Sequence, residues 1–223
     1  MIVAAAVEDY VKAIYSFSEW GRGEATPSAL AAKLGLAASS VTEMVKKLAA
    51  AGLVTHVPYG AITLTEEGRA QALRMVRRHR LIETWLVESF GYGWDEVHDE
   101  AEVLEHALSD RLLDAIDEQL GHPTRDPHGD PIPGADGVVV MPDAVLLQDA
   151  PDGFTGRVAR IRDRNPMLLR YLQAEGVTVD AALTVVGRRP FGGALAVVLS
   201  SHEGEAELDV GEEAAAAIWV SSS

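Results

Sequence analysis

Residues 27–54 read PSALAAKLGLAASSVTEMVKKLAAAGLV. Pro27 fixes a backbone angle suited to a first helical turn, so a helix is expected from there to Leu34, with Gly35 ending it. After Leu36 and two alanines, Ser39 and Ser40 are N-cap candidates for a further helix to about Ala50, closed by Gly52. Val41, Met44, Val45 and Leu48 form one apolar stripe on it, leaving Thr42, Glu43, Lys46 and Lys47 outward. Two helices joined by a tight Gly-containing turn, the second offering short polar groups, make a helix-turn-helix. Ser39, Ser40 and Thr42 let backbone approach a DNA groove, and Glu43 can accept from a cytosine amine. Lys46 and Lys47 fall where phosphates would lie, adding affinity with little sequence information.

Working outward, 8–17 carries Val11, Ile14 and Tyr15 at helical spacing, broken by Gly21 and Gly23. Downstream, 53–57 and 61–65 are short β-like runs around Pro58-Tyr59-Gly60, which is a wing. Thr65 then caps a long helix to about Phe90, rich in arginine, and a further helical stretch runs over 95–120 with a break near Ser109. An ordinary three-helix bundle with solvated faces is the alternative. Helix, wing and basic follow-on helix in this order favour the winged form.

At Gly121 the composition changes. Pro123, Pro127, Pro131 and Pro133, with Gly129, Gly134 and Gly137 among them, leave little to pack and read as a linker. Beyond it, 157–161, 183–186, 194–199 and 205–208 are expected strands, interrupted by a helix over 166–174. Strands this short close most naturally into a small β-barrel. The expected architecture is multi-domain α+β: a winged helix-turn-helix over 1–70, a helical domain over 71–122, a Pro/Gly-rich linker over 123–150, and a small barrel over 151–223.

The chain has 223 residues and a formal net charge of −15, unevenly placed. Residues 1–80 hold 10 Lys+Arg against 7 Asp+Glu, whereas 81–223 hold 9 against 27. A mildly basic first third can approach phosphate that an evenly acidic chain would repel. With no cysteine, disulfide scaffolds, thiolate metal sites and thiol nucleophiles are excluded. No apolar run approaches a membrane span, and acids enter the N-terminal stretch too early for a signal peptide, so a soluble cytoplasmic protein is expected.

The acids have a pattern in 97–110, VHDEAEVLEHALSD. His98, Glu102, Glu105 and His106 fall at i, i+4, i+7 and i+8, on one face of a helix. Carboxylates crowded there repel unless something positive lies between them. His79 and Glu83 repeat the i, i+4 pairing upstream, and Asp9 adds a carboxylate beside inward-facing apolar residues. Each part alone also reads as a solvated helix contact or a surface acid. A donor set of oxygen and imidazole nitrogen suits Mn²⁺ or Fe²⁺ and lacks the soft donors that favour zinc or copper(I).

These residues resemble the diphtheria-toxin-repressor family of metal-dependent transcriptional regulators over nearly the whole chain. EDYVKAIY is similar to its first helix, the 27–54 stretch to its helix-turn-helix, and RRHRLIETWLVESFG to its dimer helix. VHDEAEVLEHALSDRL and DPHGDPIPG are the most specific pieces, and RYLQAEGVTVDAALTVVGRRPFGGALAV with GEEAAAAIWV resembles its FeoA-type SH3-like barrel. The resemblance implies a primary metal site of Asp9, Glu102, Glu105 and His106, and an ancillary site of His79, Glu83 and His98. Iron-sensing members carry methionine and cysteine where this chain has Asp9 and Glu102, and manganese-sensing members carry carboxylates. Lys12 stands where short manganese regulators have a glutamate. No clear counterpart of the iron branch's barrel ligands is present: Asp163 and Glu175 are weak candidates, more in keeping with surface acids.

The function so implied is a homodimeric repressor, activated by Mn²⁺ with Fe²⁺ or another divalent transition metal as alternatives, binding a palindromic double-stranded DNA operator at metal-uptake genes. An Fe²⁺-responsive regulator of the same fold is the nearest rival. A metal-dependent hydrolase would need a general base beyond the ligands, and no HExxH-like signature is present. A winged-helix regulator answering an organic ligand would ignore metal. Replacing Lys46 or Lys47 by Ala is expected to weaken specific and random DNA alike and to reduce the salt slope, whereas Ser39→Ala acts mainly on specific sequence. Fluorescence anisotropy across a salt series measures both, and an unchanged slope for both lysine variants would turn that helix face away from DNA.

Overall fold

A computed structural model of the chain describes residues 2–21, 23–57, 60–190, 193–201 and 204–222. It divides into two compact units, 1–79 with 133–138, and 80–132 with 139–223. No helix among the described residues is long and apolar enough to cross a membrane.

The first unit contains α1 (Ile2–Ser18), α2 (Pro27–Leu34), α3 (Ala38–Ala50), β1 (Val54–His56), β2 (Ile62–Leu64) and the first half of α4 (Glu66–Phe90). Thr26 caps α2 by accepting from the Ala29 N–H, and Gly35 closes it in the left-handed region at φ 65°. Val11, Ile14, Tyr15, Leu30, Val41, Val45, Leu48 and Ile62 are buried together as its apolar residues. The N-cap of α3 is Ala37, and no side chain caps it. Ser39 and Ser40 are therefore not caps but lie inside the first turn, with both residues exposed. The alanines before them are good helix formers, so the helix begins earlier and leaves the hydroxyls outward. β1 and β2 pair antiparallel from Val54↔Leu64 to His56↔Ile62. The turn residues Pro58 and Tyr59 lie outside the described residues. The Thr65 hydroxyl donates to the Gly52 carbonyl and accepts from the Gly68 N–H, which pins the wing exit to the end of α3.

The second unit continues α4 and adds α5 (Val97–Leu104) and α6 (Asp110–Gln119). Leu81, Ile82, Leu86, Val97, Ala101, Leu113 and Ile132 form their common core. The helical stretch expected over 95–120 is interrupted at Leu104, earlier than the expected break, and Ser109 caps α6 by accepting from the Leu112 N–H. The sheet runs β3 (Val145–Leu146), β4 (Thr155–Ile161), β5 (Ala182–Arg188), β6 (Leu195–Ser201), β7 (Gly204–Val210) and β8 (Ile218–Ser222). Its order is β3-β8-β4-β5-β6-β7, with every pair antiparallel. Register shifts between Val158 and Arg160, and between Val185 and Gly187, mark bulges, the device by which short strands coil tightly. α7 (Pro166–Ala174) and α8 (Glu212–Ala215) complete the unit. β3 and β8 were not foreseen, since 218–220 is an unbroken apolar run without alternation.

The stretch read as a linker with little to pack is, in its first half, interior. Asp126, His128, Asp130 and Ile132 are buried. Prolines remove backbone donors that burial would orphan, and the remaining donors are satisfied locally. One Asp126 oxygen, Oδ1, accepts from the N–H groups of His128 and Asp130 at 2.9 Å each. The His128 carbonyl accepts from the Ile161 N–H at 2.8 Å, which lays the loop on β4. Gly129 sits at φ 90°, where a Cβ would come 2.1 Å from the Ala159 carbonyl oxygen. Gly129→Ala therefore combines backbone strain of about 1–3 kcal/mol with a clash. Gly137→Ala, at φ 79° with nothing near its Cβ, meets the strain alone. The expected result in thermal unfolding is a clearly lower midpoint for the first variant than for the second.

Candidate metal centre

Inside the second unit, α4 presents Glu83 and α5 presents His98 and Glu102, one helical turn apart. The turn after α5 carries Glu105 and His106, the loop carries His128, and Asp163 follows β4. Glu83 Oε1 lies 3.2 Å from His98 Nδ1, and Glu83 Oε2 lies 3.9 Å from His128 Nδ1. Asp163 Oδ2 is 3.6 Å from His98 Nδ1, and Glu102 Oε1 is 3.6 Å from His98 Nε2. Glu83, His128 and Asp163 each offer one ligand atom within 4.8 Å of the others.

His128 shows what this group lacks. Its ring is fully buried and stacks on Trp94. Its Nε2 lies 2.6 Å from the Trp94 carbonyl oxygen, which can only accept, so Nε2 carries the proton and donates. Nδ1 is then left facing Glu83 and Asp163, and it is the one buried side-chain polar atom among the described residues without a hydrogen-bond partner. A hydrogen bond that fixes one ring nitrogen and turns the other's lone pair toward carboxylates is how histidine is prepared for a metal ion. The donor set fits a divalent cation.

Charge balance points the same way. Arg80 donates to the Pro131 carbonyl and stands 3.6 Å from Asp126 and 3.3 Å from Asp130. Arg160 donates to Asp130 at 2.7 Å and stacks over Trp219 at 4.4 Å. Four carboxylates, Glu83, Asp126, Asp130 and Asp163, thus lie close to the two guanidiniums, an acidic grouping that suits a dication. Burial, with Asp130 and Glu83 beside it, pushes the Asp126 carboxyl up to about 7. Burial disfavours the charged form of His128, yet Asp126, Glu83 and Asp163 outweigh it and raise its pKa. Burial acts against the Asp163 carboxylate too, but His128 and His98 overcome it and lower its pKa.

The other expected site residues are placed as follows. Glu105 is fully buried, its Oε1 3.5 Å from His106 Nε2. Because α5 stops at Leu104, His98, Glu102, Glu105 and His106 do not share one continuous helix. Glu105 is its C-cap, with helical angles and its N–H on the Ala101 carbonyl, and His106 lies in the turn. His79 is buried one turn before Glu83 on α4, and Asp9 is half-buried on α1 next to the buried Tyr10; both belong to the first unit. Asp163, expected as a surface acid, instead joins Glu83 and His128. Glu175 is exposed at the end of α7. His128 was missed outright, and its signal was an Asp-Pro-His-Gly turn bracketed by prolines where the chain holds excess acid. On α3, Ser39, Ser40, Thr42, Glu43, Lys46 and Lys47 are all exposed. The Thr42 hydroxyl donates to the Ala38 carbonyl, and Lys46 Nζ lies 3.1 Å from Glu43.

Residues 3–62 match the N-terminal DNA binding domain of the iron dependent repressors, 65–134 their metal binding and dimerisation domain, and 145–222 the FeoA domain. The iron-dependent repressor IdeR of Mycobacterium tuberculosis is 32% identical over 211 residues, covering 88% of this chain and 89% of the relative. The chain belongs to the diphtheria-toxin-repressor family of metal-dependent, DNA-binding transcriptional repressors. Solved structures agree. A manganese-dependent transcriptional repressor in complex with manganese is 53% identical, with a TM-score of 0.93 over 97% of this chain and all of that one. The manganese regulator SloR is 31% identical, with a TM-score of 0.79 over 97% and 98% of the two chains.

In this member of the diphtheria-toxin-repressor family, the buried guanidiniums bear on stability directly. Replacing Arg80 by Met leaves Asp126 and Asp130 short of a cation in the interior, at an expected loss of about 3–5 kcal/mol. Urea unfolding of the metal-free protein measures it, and a loss under 1 kcal/mol would mean that water reaches these carboxylates.

Proposed function

We propose that the protein is a Mn²⁺-activated repressor that binds a palindromic operator as a homodimer. The observation that carries this reading is the buried His128 Nδ1, turned without a hydrogen-bond partner toward Glu83 and Asp163. By resemblance, Asp9, Glu102, Glu105 and His106 hold the primary cation. Glu83 belongs to the ancillary site with His79 and His98, and His128 and Asp163 extend that donor set. Oxygen and imidazole donors with no cysteine in the chain favour manganese, as does the 53% identity to a repressor described as manganese-dependent. Iron remains the second reading, because the relative IdeR is named an iron-dependent repressor.

When bound, the metal supplies the positive charge that lets these carboxylates share one sphere. Asp9 stands on the element next to the helix-turn-helix, and Glu102, Glu105 and His106 stand on the dimerisation domain. Ligation by all four residues therefore favours one placement of the recognition helices, matching two half-sites of an operator. α3 reads the groove through Ser39, Ser40, Thr42 and Glu43, while Lys46 and Lys47 meet phosphate. DNA and metal each tighten the other's binding by the same factor. Genes for metal uptake are the regulated targets that the resemblance implies, and the cytoplasm is the place of action.

Operator retention at fixed salt, titrated anaerobically with Mn²⁺, Fe²⁺ and Zn²⁺, tests the reading. Mn²⁺ is expected to activate the wild type, and Asp9→Met with Glu102→Cys to move activation toward Fe²⁺ or later metals. Retention by the wild type with Fe²⁺ but not Mn²⁺ would assign it to the iron branch, and metal-independent retention would remove the sensor role. His106→Ala should nearly abolish activation and His79→Ala only weaken it.

A further inference from the structure

Trp94 and Asp95, consecutive residues of the loop between α4 and α5, are both held by α7 of the FeoA domain. The Trp94 indole Nε1 donates to Gln173 Oε1 at 2.8 Å, and Arg170 Nε donates to Asp95 Oδ2 at 2.5 Å. Arg170 and Gln173 stand at i and i+3, so one face of α7 makes both bonds. Leu169 and Leu172 of the same helix are buried in the core of the sheet, against which the Trp94 ring also packs. On its other side Trp94 meets His128 twice. The two rings lie 16° from parallel with centroids 5.9 Å apart, and the Trp94 carbonyl oxygen is 2.6 Å from His128 Nε2. We propose that Trp94 is a positioning residue for His128, and that α7 fixes Trp94 through Gln173 and Arg170. The proposal rests on the reading of His128 as a metal ligand given above.

An imidazole carried on a loop has two side-chain torsions to settle, and the second is a broad one. A flat neighbour restricts the tilt of the ring plane. A hydrogen-bond partner at the ring edge restricts rotation within that plane. Trp94 supplies both, one from its side chain and one from its backbone, and so keeps Nδ1 toward Glu83 and Asp163. Outer partners that orient a metal-binding histidine in this way govern about 10–100-fold in metal affinity.

The loop cannot deliver this orientation by itself, since residues 91–96 form neither helix nor strand. Two adjacent side chains bonded to one helix face remove that freedom: the loop cannot turn without breaking one bond or the other. Residues of the FeoA domain thereby bear on the geometry of a donor carried by the metal-binding domain.

Titration of the full-length protein with Mn²⁺ alone, with free Mn²⁺ followed by electron paramagnetic resonance, tests this in a double-mutant cycle. Trp94→Leu keeps an apolar side chain but no flat ring, and should weaken one class of Mn²⁺ binding by about tenfold. In a His128→Ala background the same substitution should change Mn²⁺ binding by less than about twofold, because the group it positions is gone. Trp94→Phe restores a flat ring and should recover affinity to within about threefold of the wild type. Arg170→Leu combined with Gln173→Leu, both exposed, loosens the hold of α7 without altering Trp94. It should weaken the same class by about threefold, and only while His128 is present. An equal loss from Trp94→Leu with and without His128 makes Trp94 a structural residue alone and overturns the proposal, as does full affinity in Trp94→Leu. Full affinity in the α7 variant overturns the part assigned to α7. If Trp94→Leu does not fold, the α7 variant decides by the same comparison. Mn²⁺ binding unchanged by His128→Ala overturns the ligand reading itself, and the proposal with it.

Discussion

Two buried guanidiniums, Arg80 on α4 and Arg160 on β4, converge on Asp130, and the loop that carries His128 is held between them. Removing such charges from water is costly unless each is paired and hydrogen-bonded. Asp130 and Asp126 supply the pairing, the Pro131 carbonyl supplies a further acceptor, and the Trp219 ring covers Arg160. Because the loop answers charges on a helix and on a strand together, its backbone has one place to lie. That place brings His128 against Glu83, with Asp163 beside them. The candidate metal centre thus lies at the edge of a paired charge network.

The interruption of α5 shows how little regular structure such a centre requires. The Glu105 N–H still reaches the Ala101 carbonyl, so Glu105 keeps the position an uninterrupted helix would give it. Ala107 then bonds to Leu104 in a tighter turn, and the chain departs toward α6. His106 sits in that turn rather than under a following helical turn, so its side chain is partly accessible where Glu105 is buried. Shared placement on a face, rather than membership of one long helix, is what the spacing of Glu102, Glu105 and His106 encodes.

Where regular periodicity governs, the chain was legible. α2, α3, the wing strands and α4 follow from Pro27, Gly35, Gly52, the Val41–Leu48 stripe and Thr65, each a local signal with a local cause. The residues of 97–110 stood out as a candidate site because like charges at helical spacing demand an explanation. The ends of α3 and α5 were less so, since alanine before Ser39 and leucine at 104 leave several boundaries close in energy. The DPHGDPIPG segment was misread because composition describes a segment in isolation. Proline and glycine say that it forms neither helix nor strand, but only Arg80, 46 residues upstream of Asp126, and Arg160 beyond it show that it is interior. Asp163 was misjudged for the same reason, its neighbours His98 and His128 being distant in sequence. β8 escaped because a strand buried on both faces carries no alternation.

The uneven charge of the chain gives metal uptake a second consequence beyond local ligation. Formal net charge is −15, concentrated after residue 80, while the recognition helix lies in the mildly basic first third. DNA repels the acidic part and attracts the basic part, so electrostatics alone biases the orientation of approach. Each divalent ion removes up to two negative charges from the repelled part. Repulsion of this kind acts over about a Debye length and weakens with salt, whereas ligation geometry does not. The metal dependence of DNA affinity therefore has two components of different range: a short-range one, set by which donors are engaged, and a long-range one, set by the number of charges neutralised. Substituting a ligand carboxylate by a neutral group removes negative charge permanently, so it favours DNA through the long-range component while it disfavours DNA through the short-range one. Loss of binding in such a variant is strongest at high salt, where only the short-range component persists.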